Sequence, residues 1–370
     1  MTLANTLAEL GYNSGDIQKQ TEAISLYRGI LSTVKRDDAP EIWVVAQSKL
    51  GDALDVLGSC QGNPEVIEHA IDAFLASAKE ADKHGYLDVL FEAQRSLANA
   101  YRNLGRVAGD RDAIEEAISR YQDLVGTVDR ARYPIAWANI QNEFGLAYYE
   151  LHEFEINSDC LRSAITAYRN ALIEFTPENN LGNWAAVTNN LGNALRILGE
   201  REGNLAMLEE AIVGYRNVLR EYAHDRLPRT RANALLDVGV TLVAVGKLTN
   251  RNEPFEQAIE AYQSALEIQS RDQFPTQWAM LQNNLGSALQ FLGRLEHNRE
   301  LLERAVAAYQ NTLEIWDRNR NPFEWARCQN NIAGVYFHLS EFDEVRKILI
   351  GQLMHAERVL MRLSQRNTNR

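Results

Sequence analysis

The side chains that could carry out catalysis are few in this sequence and lie far apart. The three cysteines, Cys60, Cys160 and Cys328, form no CxxC pair, and each would need a histidine from a distant segment to act as a nucleophile. His152-Glu153 lacks the second histidine of a zinc-binding HExxH motif, and the seven histidines show no metal-ligand spacing. No glycine-rich phosphate-binding motif is present. We therefore expect no enzymatic activity, no metal site and no cofactor.

The net charge and the length of the apolar runs indicate which classes of binding partner are excluded. Acidic residues outnumber basic ones by 50 to 38, giving a net charge of -12 that would repel a phosphate backbone. No apolar run approaches the roughly 20 residues that span a bilayer, and the N-terminus lacks the pattern of a signal peptide. The sparse, odd cysteine count suits a reducing compartment. We expect a soluble cytoplasmic protein that binds neither nucleic acid nor membrane.

One segment recurs along the chain with constant spacing. Its apolar anchor returns every 47 residues, at Leu3, Leu50, Leu97, Phe144, Leu191, Val238, Leu285 and Ile332. A second segment keeps the same step and places an aromatic residue four positions after an alanine. These aromatic residues are Tyr27, Phe74, Tyr121, Tyr168, Tyr215, Tyr262 and Tyr309. Self-similarity at a fixed period is the signature of a repeat architecture.

Both segments have the pattern of helices. Leu285, Gly286, Leu289 and Leu292 share one face of the first, and no alternation typical of a strand appears. Prolines that suit a first helical turn precede five of the first segments, at Pro40, Pro134, Pro228, Pro275 and Pro322. Glycines are predicted to end five first helices as left-handed C-caps, at Gly58, Gly105, Gly199, Gly246 and Gly293.

These two segments together resemble the tetratricopeptide repeat, whose family unit is about 34 residues. The 13 additional residues per unit are explained by about one extra turn on each helix and a longer loop, and long units of this kind resemble those of large bacterial multidomain proteins. The resemblance implies an all-α solenoid of helical hairpins, wound as a right-handed superhelix, over residues 1–370. We expect a truncated repeat over 1–34, full repeats starting near 40, 87, 134, 181, 228 and 275, and a shortened last repeat with a capping helix over 322–366.

The two ends differ from the other repeats. The first repeat lacks the earlier half of its first helix, so it is either trimmed or naturally incomplete with an apolar edge. The last repeat drops its long loop, and a helix is predicted from Phe342 to about Leu363. Basic residues along this end, such as Arg346 and Arg358, are interpreted as a solubilising cap in preference to a docking site for an acidic partner.

The resemblance also implies that the first helices line a concave groove. An amide side chain can both donate to and accept from a peptide backbone, so a ladder of asparagines could hold an extended segment. Bridging between helices is the alternative interpretation of these amides, and it is favoured for the first asparagine of each pair. Glu143 and Asp237 interrupt the ladder. The candidate ligand-binding residues are Arg95, Asn99, Arg102, Asn142, Asn189, Asn190, Asn193, Arg196, Asn283, Asn284, Asn330 and Asn331.

Other recurring aromatic residues are interpreted as structural. Trp43, Trp137, Trp184, Trp278 and Trp325 share one repeat position, which favours packing between repeats over stacking on a ligand. The five residues with which some relatives clamp a C-terminal carboxylate do not align in any three consecutive repeats, so that specific function is not assigned.

The leading functional hypothesis is therefore a scaffold that binds a protein or peptide in its groove. A self-assembly, sensor or regulatory segment of a larger multidomain effector is the alternative, with the unfinished N-terminal repeat forming a homo-oligomer contact.

Overall fold

The computed structural model describes residues 1–154, 158–222 and 228–340, and these residues form helices joined by turns, with no strand among them. Fifteen helices are described within these ranges: α1 (Thr2–Ser14), α2 (Ile17–Thr33), α3 (Pro40–Gln61), α4 (Pro64–His84), α5 (Leu87–Ala108), α6 (Arg111–Thr127), α7 (Pro134–Leu151), α8 (Asp159–Glu174), α9 (Pro177–Glu202), α10 (Leu205–Glu221), α11 (Pro228–Thr249), α12 (Asn252–Ile268), α13 (Pro275–Leu295), α14 (Arg299–Leu313) and α15 (Pro322–Ser340). The expected all-α architecture of helical hairpins is confirmed.

The chain divides into two compact units, the first from Met1 to Ala194 and the second beginning at Leu195. Within each unit an odd-numbered first helix packs on the second helix of its repeat and also on the first helix that follows, as α5 packs on α7 and α13 on α15. The division falls inside α9, where Asn180 also interrupts the helical geometry. A single solenoid over the whole chain stays a prediction, and the capping helix expected from Phe342 lies outside the described residues.

Buried aromatic residues form the centre of each hairpin. The six recurring tyrosines and Phe74 are at most 1 % exposed, as the sequence pattern predicts. The small residue after each anchor makes room for the ring: a Cβ at Gly145 would lie 2.6 Å from Tyr168, and one at Gly286 would lie 2.9 Å from Tyr309. Full burial of one such ring stabilises the fold by roughly 2–3 kcal/mol.

The recurring glycine near the end of each first helix was expected to be the C-cap, and this expectation is wrong. Gly58 and Gly105 lie inside α3 and α5, and the left-handed caps are Gly62 and Gly109, four residues later. The inner glycine instead allows the second helix to approach closely. A Cβ at Gly105 would overlap Ile114 and would stand 2.8 Å from the carbonyl oxygen of Asp110. A Cβ would also overlap the second helix at Gly246, 2.6 Å from Phe255, and would make tight contacts of 3.0 Å at Gly199 and Gly293, all of which lie inside their helices.

The fourth repeat shows what happens without this glycine. His152 occupies the equivalent position, and α7 ends at Leu151 after 18 residues, whereas α3, α5 and α11 each extend over 22 residues. His152 is 7 % exposed and contacts the carbonyl oxygen of Tyr149 through Nδ1. A side chain at this position cannot fit beside a closely packed second helix, so the chain leaves the helix there.

The prolines were correctly predicted, since Pro40, Pro134, Pro228, Pro275 and Pro322 each begin a first helix.

One helix differs from the expectation that no apolar segment is long enough to span a bilayer. By length and composition α11 is apolar enough to cross a bilayer, with a mean hydropathy of 1.4 over its best window, and half of that window is buried inside the protein. The apolar content of α11 serves its packing on α10, α12 and α13.

Candidate functional site

The face formed by first helices in the first unit carries a cavity of about 840 Å³. Side chains from α1, α3, α5 and α7 line it, so four consecutive repeats contribute. Buried rings of α2 and α4, Tyr27 and Phe74, form part of its floor. The polar lining residues include Asn5, Glu9, Gln20, Lys49, Asp52, Asp55, Ser59, Arg95, Ser96, Asn99, Arg102, Asn103, Arg106 and Glu143.

Two asparagines beneath the cavity hold buried tyrosines. The Tyr27 hydroxyl donates to Asn5 Oδ1 at 2.7 Å, and the Tyr121 hydroxyl donates to Asn99 Oδ1 at the same distance. Both asparagines stand two residues after their anchors. The carbonyl of Asn99, a predicted ligand-binding residue, is therefore engaged in fixing the core.

Two arginines of α5 are paired with carboxylates of α7. Arg95 Nη1 lies 2.7 Å from Glu143 Oε1, and Arg102 Nη1 lies 2.6 Å from Glu150 Oε1. Arg95 also reaches Glu92 at 2.9 Å. Burial raises the pKa of Glu143 and of Glu150, against the opposing effect of their arginines. These pairs hold consecutive repeats together.

Asp52 and Asp55 form the acidic side of the cavity. Asp52 is 2.9 Å from Lys49 Nζ and accepts a hydrogen bond from Ser96 Oγ at 3.1 Å. Asp55 Oδ2 accepts from Asn103 Nδ2 at 2.8 Å, while Oδ1 has no hydrogen-bond partner within the described structure. Burial raises the pKa of Asp55 to about 6, although Asn103 opposes this shift. A donor from a ligand would stabilise the ionised form of this carboxyl group.

The structure brings three of the predicted ligand-binding residues, Arg95, Asn99 and Arg102, to this cavity. Two pairs of the predicted asparagines instead join consecutive repeats. Asn190 Nδ2 donates to Asn142 Oδ1 at 3.1 Å, and Asn331 Nδ2 donates to Asn283 Oδ1 at 3.3 Å. In each pair, the second asparagine of one repeat donates to the corresponding upstream position of the repeat before it. This is the bridging arrangement that the sequence left open as an alternative.

The remaining predicted residues lie outside the cavity. Asn284 accepts from Asn283 at 3.5 Å, and Arg196 pairs with Glu200 at 2.7 Å. Asn330 is exposed, Asn193 is half-buried, and Asn189 Oδ1 is buried without a hydrogen-bond partner within the described structure. Their binding of a ligand stays a prediction.

Asp52, Asp55 and Arg106 are lining residues that the sequence analysis missed. A signal for two of them existed in the repeat alignment. Asp55 stands at the position that Arg102 occupies one repeat later, and Asp52 stands at the position of Asn99. Polar residues at equivalent positions of neighbouring repeats, with opposite charges at Asp55 and Arg102, indicate a shared polar surface.

Four of the five recurring tryptophans, all except Trp184, have a partner that the sequence analysis also missed. An arginine seven residues earlier lies over the ring, with Arg130 Cζ 4.6 Å from the centroid of Trp137 and Arg36 Cζ 5.4 Å from that of Trp43. Arg36 also pairs with the inaccessible carboxylate of Glu80 and, with Lys83 and His84, holds the pKa of Glu80 at about 2. Arg36 thus connects the loop between α2 and α3 to the second helix α4.

No group of three potential metal ligands occurs among the described residues. Three stretches of the sequence, 92–130, 184–220 and 278–319, match the sequence model of the family described as tetratricopeptide repeat. No curated protein matches the chain in a sequence comparison.

Solved structures are similar to the chain at low identity. The apo form of RapI has a TM-score of 0.52 at 12% identity and covers 98% of both chains. The C-terminal part of a TPR repeat-containing protein from Cytophaga hutchinsonii has a TM-score of 0.48 at 13% identity, covering 88% of this chain and 98% of that one. NprR in complex with its cognate peptide NprX has a TM-score of 0.42 at 14% identity, covering 98% and 96%.

The likeness to RapI shows the fold alone, whereas the matched stretches carry the family's sequence pattern. Each stretch contains parts of a first and a second helix of one hairpin. The constant 47-residue step extends the same pattern to the other repeats. The chain therefore contains tetratricopeptide repeats in these three stretches.

Proposed function

We propose that this protein is an interaction scaffold whose first unit holds a segment of a protein partner in the cavity formed by α1, α3, α5 and α7. The observation that supports this most strongly is the cavity of about 840 Å³ lined by four consecutive first helices. A pocket of this size, open along several repeats, suits a chain segment of several residues. NprR is a protein of similar architecture whose structure was solved with a bound peptide.

The polar lining suggests how such a segment is oriented. Asp52 and Asp55 provide carboxylates for a backbone N–H or a cationic side chain, and Arg106, which is exposed, offers donors to a backbone carbonyl. Tyr12 is 68 % exposed on α1 and supplies apolar contact area at the edge. The ion pairs of Arg95 and Arg102 keep their geometry without a ligand, so the surface is preorganised.

The experiment is recovery of the partner by pull-down with the intact chain, followed by affinity measurement on variants. Asp52→Asn combined with Asp55→Asn is expected to weaken binding about tenfold or more, because a desolvated charge-assisted hydrogen bond is lost. Folding should survive this change, since an amide oxygen can still accept from Asn103. Asp72→Asn, on the exposed face of α4, is the matched control. Equal affinities for the double variant and the control would contradict this site.

A second candidate function, self-association, is favoured by one observation. Exposed apolar side chains gather on α1 and α2, with Leu3 64 %, Leu10 49 % and Ile17 43 % accessible. A second copy of the chain could cover this surface. Light scattering of the intact chain over a wide concentration range tests it, with Leu3→Glu plus Leu10→Glu as the disrupting variant. A strict monomer at high concentration would exclude this candidate.

A further inference from the structure

A second cavity, of about 530 Å³, lies in the second unit where the ends of α11 and α13 approach α15. Its ionisable lining residues are Lys247, Arg294, His297 and His338, and no carboxylate lines it in the part of the chain that the structure describes. This concentration of basic side chains contrasts with the net charge of -12 carried by the whole chain.

Two of these cations share one aromatic ring. Lys247 Nζ lies 4.4 Å from the centroid of Phe291, and Arg294 Cζ lies 5.9 Å from it. Phe255 stacks on the same ring at 5.7 Å with an interplanar angle of 11°. Gly246 permits this stack, because a Cβ there would lie 2.6 Å from Phe255 Cζ.

Neither cation has a carboxylate partner among the ion pairs of the described residues, whereas neighbouring arginines do. Arg251 pairs with Glu253 at 2.6 Å, and Arg299 pairs with Glu303 at 2.8 Å. Glu200, whose charge acts on Lys247, already pairs with Arg196 at 2.7 Å. Burial lowers the pKa of Lys247, which means that its environment compensates the positive charge incompletely.

The simplest structural explanation for these cations is their favourable interaction with the helix ends. The repeat itself argues against that explanation as sufficient. Lys247 and Arg294 occupy the same repeat position, and the equivalent residues of the earlier repeats are Tyr12, Ser59, Arg106, Glu153 and Glu200. Apart from Arg106, the equivalent residues of the earlier repeats are uncharged or acidic, so the end of a first helix does not require a cation at this position.

We propose that this cavity is a second binding site, which accepts an acidic side chain from a protein partner. The carboxylate lies between Lys247 and Arg294, the imidazole of His297 supplies a further donor, and Leu295 contacts an apolar neighbour in the partner segment. The aromatic pair beneath keeps water from the inner side of the site, which strengthens the charge pairing.

The test is fluorescence anisotropy of the intact chain with a labelled peptide of alternating glutamate and leucine. The same peptide with glutamine in place of glutamate is the ligand control. We expect the glutamate peptide to bind at least about tenfold more tightly, with an affinity that falls as salt rises. Lys247→Gln combined with Arg294→Gln should remove this preference, and Arg251→Gln, which removes a cation with its own carboxylate partner, should leave it unchanged.

Three results would overturn the proposal. The first is equal binding of the two peptides, and the second is an unchanged preference in the double variant with intact helicity. The third is competition by inorganic phosphate at a concentration equal to that of the peptide, which would make the cavity a site for small free anions. Absence of binding at millimolar peptide would count with the first result.

Discussion

The packing of α5 on α7 and of α13 on α15 uses equivalent repeat positions with different chemistry. In the first unit, Arg95 meets Glu143 as an ion pair, and at the equivalent positions in the second unit Asn283 accepts from Asn331. Arg102 pairs with Glu150, and the residue equivalent to Arg102 is Gln290, which accepts from the Tyr309 hydroxyl at 3.1 Å. The repeat thus requires complementary hydrogen bonding at these positions and not a particular charge.

The difference has a thermodynamic consequence. A half-buried ion pair costs desolvation of two charges, so losing one partner is more damaging than losing one side of an amide pair. Variants at equivalent positions should therefore show larger losses in the α5–α7 interface than in the α13–α15 interface.

The largest effect is expected for Arg102→Met. Glu150 is 17 % exposed and would keep a buried charge without its partner, which costs about 3 kcal/mol of unfolding free energy. Gln290→Met at the equivalent position loses the bond from Tyr309 and costs about 1 kcal/mol. Urea unfolding of both variants measures the contrast, and equal losses would show that the charge pair has no special cost.

Glycine positions provide the second comparison. Gly105→Ala would place a Cβ against Ile114 and 2.8 Å from a backbone oxygen, so we expect a loss of about 2–3 kcal/mol. At the equivalent Gly293 the nearest atom is 3.0 Å away, at the branched end of Leu302, and the loss should be about 1 kcal/mol. Gly126→Ala is the control, because its Cβ meets nothing within 4 Å and alanine favours a helix by about 0.5–1 kcal/mol. Thermal unfolding followed by circular dichroism ranks the three variants, and a loss at Gly126 as large as at Gly105 would contradict the clash.

A pH titration examines the charged cavity. The folded-state pKa of Asp55, about 6, lies above its ordinary value of 3.8 because of burial, so its protonated form stabilises the fold. This contribution is present below pH 3.8 and is lost as pH rises through 6. Between pH 4 and pH 7 the unfolding free energy of the wild type should fall by about 1–2 kcal/mol relative to that of Asp55→Asn. This loss is smaller than the full difference between the two pKa values would give, because water enters the cavity. If the unfolding free energies of the two proteins changed in parallel with pH, the carboxyl group would not be desolvated in the folded state.

The smallest effect concerns the amide bridge. Asn331→Ala removes a donor at 3.3 Å from Asn283, whose side chain is 7 % exposed, and should cost about 1 kcal/mol. Asn330→Ala is the neighbouring control, since Asn330 is exposed and should change the unfolding free energy by less than about 0.5 kcal/mol. If Asn330→Ala lowered the unfolding free energy as much as Asn331→Ala, the hydrogen bond between Asn331 and Asn283 would not account for the loss.

Much of the hairpin architecture was predictable because its signals are local. The 47-residue step, the buried tyrosines and the prolines at helix starts depend on helix periodicity and on which residues suit a first turn. The inner glycines were predictable as recurring features of the repeat but not in their role. Whether a glycine ends a helix or admits a neighbour depends on how close the next helix lies.

The sequence by itself determined the repeat, the all-helical class and the positions that face inward, because these follow from spacing along one chain. Only the tertiary structure decided how the polar positions are used. It joined Asn142 to Asn190 and Arg95 to Glu143, and it left an oxygen of Asp55 without a partner beside a cavity. Side chains of residues 47 or 48 positions apart meet only when two helices pack, and their pairing depends on distances of a few tenths of an ångström.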